Sequence, residues 1–483
     1  MNSVNFDEFK LRRRPIYERS ALVLLIVLII LAPFPLGSNR PWAWGLLEAG
    51  LFVAAALWLL GWMKREVRSM EMLIQIKPAA LVLGAWLLYL TIYWIPLPAA
   101  LVALLSPEAA RMHALAAGYA AEGSTLIYLS VDPYASFSFW LKSCAYATAF
   151  FLTVALCHNR DRLRLLAYVL VLSGLIQAIY GALMHLAGTD VWLFGTPIRH
   201  SWQASGGFVN RNHLAGFLEI TLAIGIGLLI ADLEDTAPRS WRRFMRDFAQ
   251  VVLSRKAPLR LCLIAMVIAL VMTRSRMGNM AFFSSLIVAG VIALALSRRA
   301  TRGTVVLIVS LIVVDIFIVG AWFGVKETVQ RIGQTTVGEV EERGDPSAYA
   351  MDLFKDYPVF GSGPGSFYTT FSRYRGEDIG SYYDFAHNDY VQMLTETGVI
   401  GLILIGAFAL MALWAAILAQ VRRQDPLARG MGFAVVMGVI SLGVHSAVDF
   451  NLQIPANAFV FMILLAFGWL SLYLGRSRPD SQA

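Results

Sequence analysis

Charge is scarce in this chain: 15% of its 483 residues are Asp, Glu, Lys or Arg, against 58% that are hydrophobic. A soluble core of this size does not need so apolar a composition, so a soluble globular class is excluded. Cysteine is scarcer still. Cys144, Cys157 and Cys262 all fall in or at the ends of apolar runs, too few and too deep for a disulfide framework or a cysteine metal site. HExxH, CxxC and P-loop patterns are absent, and no Asp-x-Asp pair lies in the segments assigned below to the outer side. The expectation is a site that works without metal or cofactor. No internal repeat, low-complexity tract or separate soluble domain is visible.

What the chain has instead is a succession of apolar runs, each long enough to cross about 30 Å of hydrocarbon as a helix. Helices are the natural choice, because unpaired backbone groups in lipid cost several kcal/mol each. The fold expected is all-α: one integral membrane domain over 1–483 with about twelve transmembrane helices. The first span, near 21–37, follows Lys10, Arg12, Arg13, Arg14 and Arg19. It runs into Pro33-Phe34-Pro35 with no small-x-small cleavage pattern, which reads as an uncleaved helix rather than a signal peptide. Further spans fall near 41–62, 79–96, 137–157, 165–185, 213–231, 259–273, 277–296, 303–324, 398–420, 430–448 and 455–474.

Alternate connectors differ sharply in basic residues. The set containing the N-terminus, Lys64-Arg65, Arg160/Arg162/Arg164, the 239–260 stretch, Arg298/Arg299/Arg302, Arg422/Arg423/Arg429 and Arg476/Arg478 holds 27 of the 40 Lys and Arg; the other set holds 13. Both termini are therefore expected in the cytoplasm. The net charge of +8 is ordinary membrane topology rather than a nucleic-acid footprint. The outer face then carries three substantial loops, 97–136, 186–212 and 325–397. The last, between the ninth and tenth helices, forms a lid. Trp42, Trp44, Trp94 and Trp322 sit near span ends as interfacial anchors.

The outer basic residues are the informative minority. Arg211 lies in Gly206-Gly207-Phe208-Val209-Asn210-Arg211-Asn212-His213 at the outer mouth of a span, and Arg274 and Arg276 lie in the turn Thr273-Arg274-Ser275-Arg276. Each by itself reads equally as a snorkelling side chain at a helix end; three at one depth suggest a site. If the turn were helical, Arg274 and Arg276 would point nearly opposite ways, which favours Arg276 for a shared cavity. A guanidinium stays charged near lipid and presents a fork that matches phosphate oxygens. His387, in Tyr383-Asp384-Phe385-Ala386-His387-Asn388-Asp389-Tyr390, is the best proton-transfer candidate, because imidazole titrates near neutral pH. Asp384 is the expected N-cap of the helix that carries it, with Val391 and Leu394 on the same face. The plainer reading is that His387 caps or packs against that helix. Asp389 and Glu396 are expected to be structural or solvated. His445 and Asp449, spaced i, i+4, read as a hydrogen-bonded pair, and His213 as a support for Arg211 or an interface residue. His113, His158, His185 and His200 carry no special context. Gly361-Ser362-Gly363-Pro364-Gly365 reads as a tight turn in the lid rather than a phosphate-binding loop.

Four stretches, Phe208–Ala215, Thr273–Arg276, Asp356–Gly363 and Ala386–Tyr390 with Glu396-Thr397-Gly398, together resemble the motifs of the bacterial O-antigen ligase and polymerase superfamily. The resemblance covers 208–401, plus a later Val448-Asp449-Phe450 element. It implies a GT-C-like, metal-independent, inverting membrane glycosyltransferase in the bacterial inner membrane, with its active site and the 325–397 lid in the periplasm. It implies an undecaprenyl-pyrophosphate-linked glycan as donor. The acceptor would be lipid A–core in ligases, another lipid-linked glycan in polymerases, or a protein hydroxyl in O-oligosaccharyltransferases. Arg211 and Arg276 match the arginines that engage the donor pyrophosphate, with Arg274 beside them. His387 matches the histidine that activates the acceptor hydroxyl, and Asn210, Asn212, His213, Asn388 and Asp389 stand around these as supports. The cytoplasmic stretch 232–257 and the outer segment 97–136 have no counterpart in these motifs. The rival of another class is a transporter or flippase of lipid-linked glycans. Against it, the polar groups gather at one surface rather than the midplane, and the two halves of the chain do not mirror each other.

Overall fold

The computed structural model describes residues 15–64, 71–118, 125–188, 204–232, 257–296, 346–377, 379–380 and 382–475. Eight of its helices are long and apolar enough to cross a membrane. These are α2 (Pro41–Met63), α7 (Pro133–Leu156), α8 (Arg160–Ala187), α9 (Arg211–Ala231), α11 (Arg276–Leu296), α14 (Asp389–Arg422), α15 (Pro426–His445) and α16 (Pro455–Tyr473). Shorter apolar helices, α1 (Ile16–Leu31), α4 (Lys77–Thr91) and α10 (Ala257–Met272), occupy three more of the expected spans, and the expected span at 303–324 lies outside the described residues. Small helices complete the chain: α3 (Glu71–Gln75), α5 (Ala99–Leu105), α6 (Pro107–Ala117), α12 (Pro346–Asp356) and α13 (Phe367–Phe371). The one departure from an all-helical chain among the described residues is a two-residue antiparallel pairing of Leu97–Pro98 with Leu126–Ile127.

The long helices start where their sequences supply a cap. Asp132, Asn159, Asn210, Asn388 and Asp425 each accept a hydrogen bond from the first turn of α7, α8, α9, α14 and α15. Proline opens α2, α7, α15 and α16, where its missing N–H costs nothing.

At the centre stand α9, α15 and α16. Helices α9 and α15 run antiparallel and approach so closely that a Cβ on Gly227 would lie 2.4 Å from the Gly430 carbonyl oxygen. This is the small-residue contact by which helices associate in lipid, where burying apolar surface gives no net drive.

The described residues of the two sets of connectors lie at opposite ends of the bundle. At one end Arg160 pairs with Asp425 at 2.6 Å, Arg164 with Asp232 at 3.5 Å, and Arg162 and His158 with Glu18. At the other end the described residues of 97–136 meet those of 346–377: Thr369 donates to Asp132 at 3.0 Å, and Arg373 pairs with Glu108. The site residues all lie at this second end.

Candidate functional site

Arg211 is the first residue of α9, and its placement starts upstream. Gly206 takes a left-handed conformation (φ +56°), and the Gly207 N–H donates to the buried Gln177 side chain at 2.8 Å. Phe208 then packs its buried ring 5.5 Å from Phe217. The Asn210 side chain accepts the Asn212 N–H at 2.9 Å and starts the helix, leaving Arg211 half-exposed at its mouth. The Asn210 side chain and the Asn212 N–H thus form the cap.

Across from it, the chain between α10 and α11 turns sharply. Thr273 and Ser275 are buried, Ser275 caps α11 through the Gly278 N–H at 3.1 Å, and Arg274 sits at φ +52°. The turn is therefore not helical, so the helical geometry that would set Arg274 against Arg276 does not apply. Arg274 and Arg276 flank the buried Ser275 and are both exposed, and both act as like charges on Arg211, with Asp449 as the opposing charge.

The His387 loop differs from the sequence reading in its details. Asn388, not Asp384, caps α14, accepting the Tyr390 and Val391 N–H groups at 3.0 and 3.1 Å. His387 therefore precedes the helix and shares no helical face with Val391 and Leu394. It is exposed and held at φ +54°, a left-handed conformation uncommon for residues other than glycine. Its ring stands edge-on to Phe450 at 4.8 Å and to Tyr383 at 5.6 Å. His213, two residues after Arg211, stands edge-on to Phe450 at 4.7 Å. One phenyl ring thus separates the two imidazoles, and Phe385 stacks on that same ring at 4.5 Å.

Phe450 belongs to the turn between α15 and α16, which mounts both halves of the site. The buried Asp389 accepts the Ser446 hydroxyl at 2.8 Å and the Leu452 N–H at 3.0 Å, while its own N–H donates to the Ser446 carbonyl at 2.8 Å. Asn388 donates to the Ala447 carbonyl at 2.8 Å. On the other side, His213 Nε2 lies 3.8 Å from Asp449, and Asn457 donates to the His213 carbonyl at 3.0 Å. Burial opposes the charge of Asp449, but the contact with His213 and the nearby His213 and His445 outweigh it, holding its pKa down at about 2. His445 does not pair with Asp449 as i, i+4 spacing suggested. Its partner is Glu219 of α9, 2.7 Å from His445 Nδ1.

The glycine loop is a tight turn that does cradle a carboxyl group, one supplied by the chain itself. The Gly365 and Phe367 N–H groups donate to the two oxygens of Glu396 at 2.9 and 3.1 Å, and Gln392 donates to it at 2.7 Å. Gln392 in turn accepts the Ala386 N–H at 2.7 Å, one residue from His387. Asp389 and Glu396 are therefore buried structural groups, not solvated ones.

The segment from α10 to beyond Gly398, residues 261–406, matches the family model for O-antigen ligases. These residues are similar to the O-antigen ligase family. This supports the chain's membership of the O-antigen ligase family, a family of membrane enzymes with glycosyltransferase-like activity whose substrates are a lipid-linked glycan and an acceptor. Within the matched segment lie Arg274, Arg276, His387 and the Glu396 cradle, whereas Arg211, His213 and Asp449 lie outside it. No curated protein matches the chain.

Proposed function

We propose that this protein moves a glycan from an undecaprenyl-pyrophosphate donor to an acceptor hydroxyl at the periplasmic face of the bacterial inner membrane, with both termini in the cytoplasm. The observation that carries the reading is the turn whose Phe450 ring touches both His213, two residues after Arg211, and His387, with Arg274 and Arg276 near enough to act as like charges on Arg211. The donor's polyprenyl tail stays in lipid while its pyrophosphate meets the guanidinium groups. The acceptor oxygen attacks the anomeric carbon as the bond from that carbon to the pyrophosphate oxygen breaks. The electron pair leaves with undecaprenyl pyrophosphate, and His387 takes the acceptor proton. Attack opposite the leaving group inverts the anomeric centre.

The arginines stabilise the charge that grows on the departing oxygen, the role a metal ion plays in other transferases, so the reaction proceeds without one. Fixing two bulky glycans in line contributes as much as charge, because it replaces an improbable encounter. The left-handed backbone at His387 is a conformational cost of about 1 kcal/mol that the clamps on Asp389 and Asn388 sustain. Such strain accords with an imidazole held out for use rather than one that caps a helix.

A deletion strain tests the reading and resolves the acceptor. Undecorated lipid A–core with intact lipid-linked polymer is the outcome expected for a ligase. Single repeat units on the core would make it a polymerase, and unglycosylated pilin-like proteins an O-oligosaccharyltransferase. Unchanged surface glycans, lipid-linked intermediates and glycoproteins would refute glycosyl transfer.

A further inference from the structure

Deep between α9 and α15 lies an ionisable pair that the reaction above does not use. Glu219 and His445 are both fully buried, and His445 Nδ1 shares a hydrogen bond of 2.7 Å with one Glu219 oxygen. The Ser441 hydroxyl donates to the other oxygen at 2.8 Å. Helices α9 and α15 already adhere through the Gly227–Gly430 approach nearer their other ends. Replacing a buried ion pair by apolar residues is often neutral or stabilising, so cohesion does not account for this one. Ionisable groups inside membrane helices are rare and by default point to function.

The position of the pair shows what it connects. Glu219 lies eight residues below Arg211 on the same helix, about 12 Å along it. His445 ends α15, and the next residue, Ser446, holds Asp389 through both its carbonyl and its hydroxyl. Two residues before Asp389 stands His387. The route from the arginine helix to the imidazole loop thus passes Glu219, His445, Ser446 and Asp389 with no flexible segment between them. The glycine contact fixes how close the helices lie at one end; the polar pair fixes their register near the other. A slip of α9 by a single residue would move Arg211 by about 1.5 Å along the axis and rotate it by about 100°.

We propose that Glu219 and His445 are positioning residues that set the register of α9 against α15, and thereby hold Arg211 at its working distance from His387. The inference rests on the reading of the site as a glycosyl-transfer centre, and its test keeps the two separable. The full-length protein in lipid nanodiscs is compared with Glu219→Ala, Glu219→Gln and the apolar double variant Glu219→Leu/His445→Leu. Spin labels at the exposed positions Val209 and Asp384, in a background with the three cysteines replaced by serine, report the spacing of the two halves.

In the double variant the melting temperature should stay at or above that of the parent, while kcat falls about 30-fold or more, the donor KM rises and the label distances broaden. Glu219→Gln, which can still accept from His445, should keep kcat within about threefold and a narrow distance distribution. Glu219→Ala should match the double variant in kcat. Should the double variant keep both kcat and the narrow distance, the pair sets no register and the inference is wrong. A loss of kcat that only follows the unfolded fraction would likewise make the pair structural and overturn it. If the parent transfers no glycan at all, the reading of the site fails, yet the label distances still decide whether the pair sets the register.

Discussion

Helices α9 and α14 are both long apolar stretches, yet 94% of the apolar window of α9 is buried within the protein against 28% of that of α14. The difference shows in what interrupts each stretch. Helix α9 carries Gly216, Glu219, Thr221, Gly225 and Gly227, small or polar groups that make sense only against protein. Helix α14 after Gly398 is almost unrelieved Leu, Ile, Ala, Met and Trp, with Ile403, Leu410 and Trp414 exposed where lipid would lie. Its polar content is concentrated in the leading turns before the break at Gly398, where φ is +64° and ψ −174°. One helix is a buried post bearing a cation at its mouth. The other is a lipid-facing post whose head bends over to present His387.

A large effect should come from the mouth of α9. Arg211→Ala should lower the transfer rate by about 10²–10³-fold, the scale on which removing one charge-stabilising donor acts, and should weaken donor binding measured with radiolabelled lipid-linked glycan. An altered acceptor preference with normal donor binding would instead assign Arg211 to the acceptor.

The bend in α14 comes next. A Cβ at Gly398 would lie 2.1 Å from the Val359 carbonyl oxygen on a backbone that disfavours side chains, whereas one at Gly406 would meet nothing within 4 Å. Gly398→Ala should therefore destabilise the protein by about 2 kcal/mol or more. Gly406→Ala should be neutral or stabilising by up to about 1 kcal/mol. Thermal unfolding in one detergent compares them, and equal midpoints would show that the bend is not enforced by close packing.

A smaller effect belongs to the turn that joins the two posts. The folded pKa of Asp449, about 2, lies below its unfolded value, so its contribution is complete above about pH 4 and is lost as the pH falls towards 2. Its size is on the order of 2 kcal/mol. Asp449→Asn should remove that part of the acid dependence of the melting temperature, and an identical acid profile would show that Asp449 is not held ionised by His213 and His445. Smallest of all is Arg373→Ala: its partnership with Glu108 is between exposed groups and should be worth no more than about 1 kcal/mol, with transfer unchanged.

Much of this architecture could be read from residue order. Long apolar runs set apart by basic connectors located the helices, and Arg211, Arg276 and His387 stood out because each sits in a polar island against hydrocarbon. The errors have physical causes. Helical geometry would set Arg274 against Arg276, but a buried Ser275 and a left-handed Arg274 make a non-helical turn in which both arginines are exposed. Asp384 looked like a cap because a short polar residue precedes an apolar run, yet Asn388 lies nearer the first amides and takes that role. His445 was given a local partner because i, i+4 spacing is visible in sequence, whereas its real partner is 226 positions away. Glu219 itself drew no notice: a single acid in a greasy run shows its importance only when the opposite helix is in place. The glycine loop reads as a turn from its sequence and is one, but that its amides enclose Glu396 depends on a contact between two distant stretches.

The account turns on His387 receiving the acceptor's proton beside arginines that hold the donor. Single-turnover transfer by the purified full-length protein in nanodiscs, with donor binding measured in parallel, addresses this directly for His387→Ala. The expected result is donor affinity within about twofold of the parent and a transfer rate lower by about 10²–10⁴-fold, the range of general base catalysis. Transfer at the parental rate with donor bound would show that the imidazole has no part in the reaction.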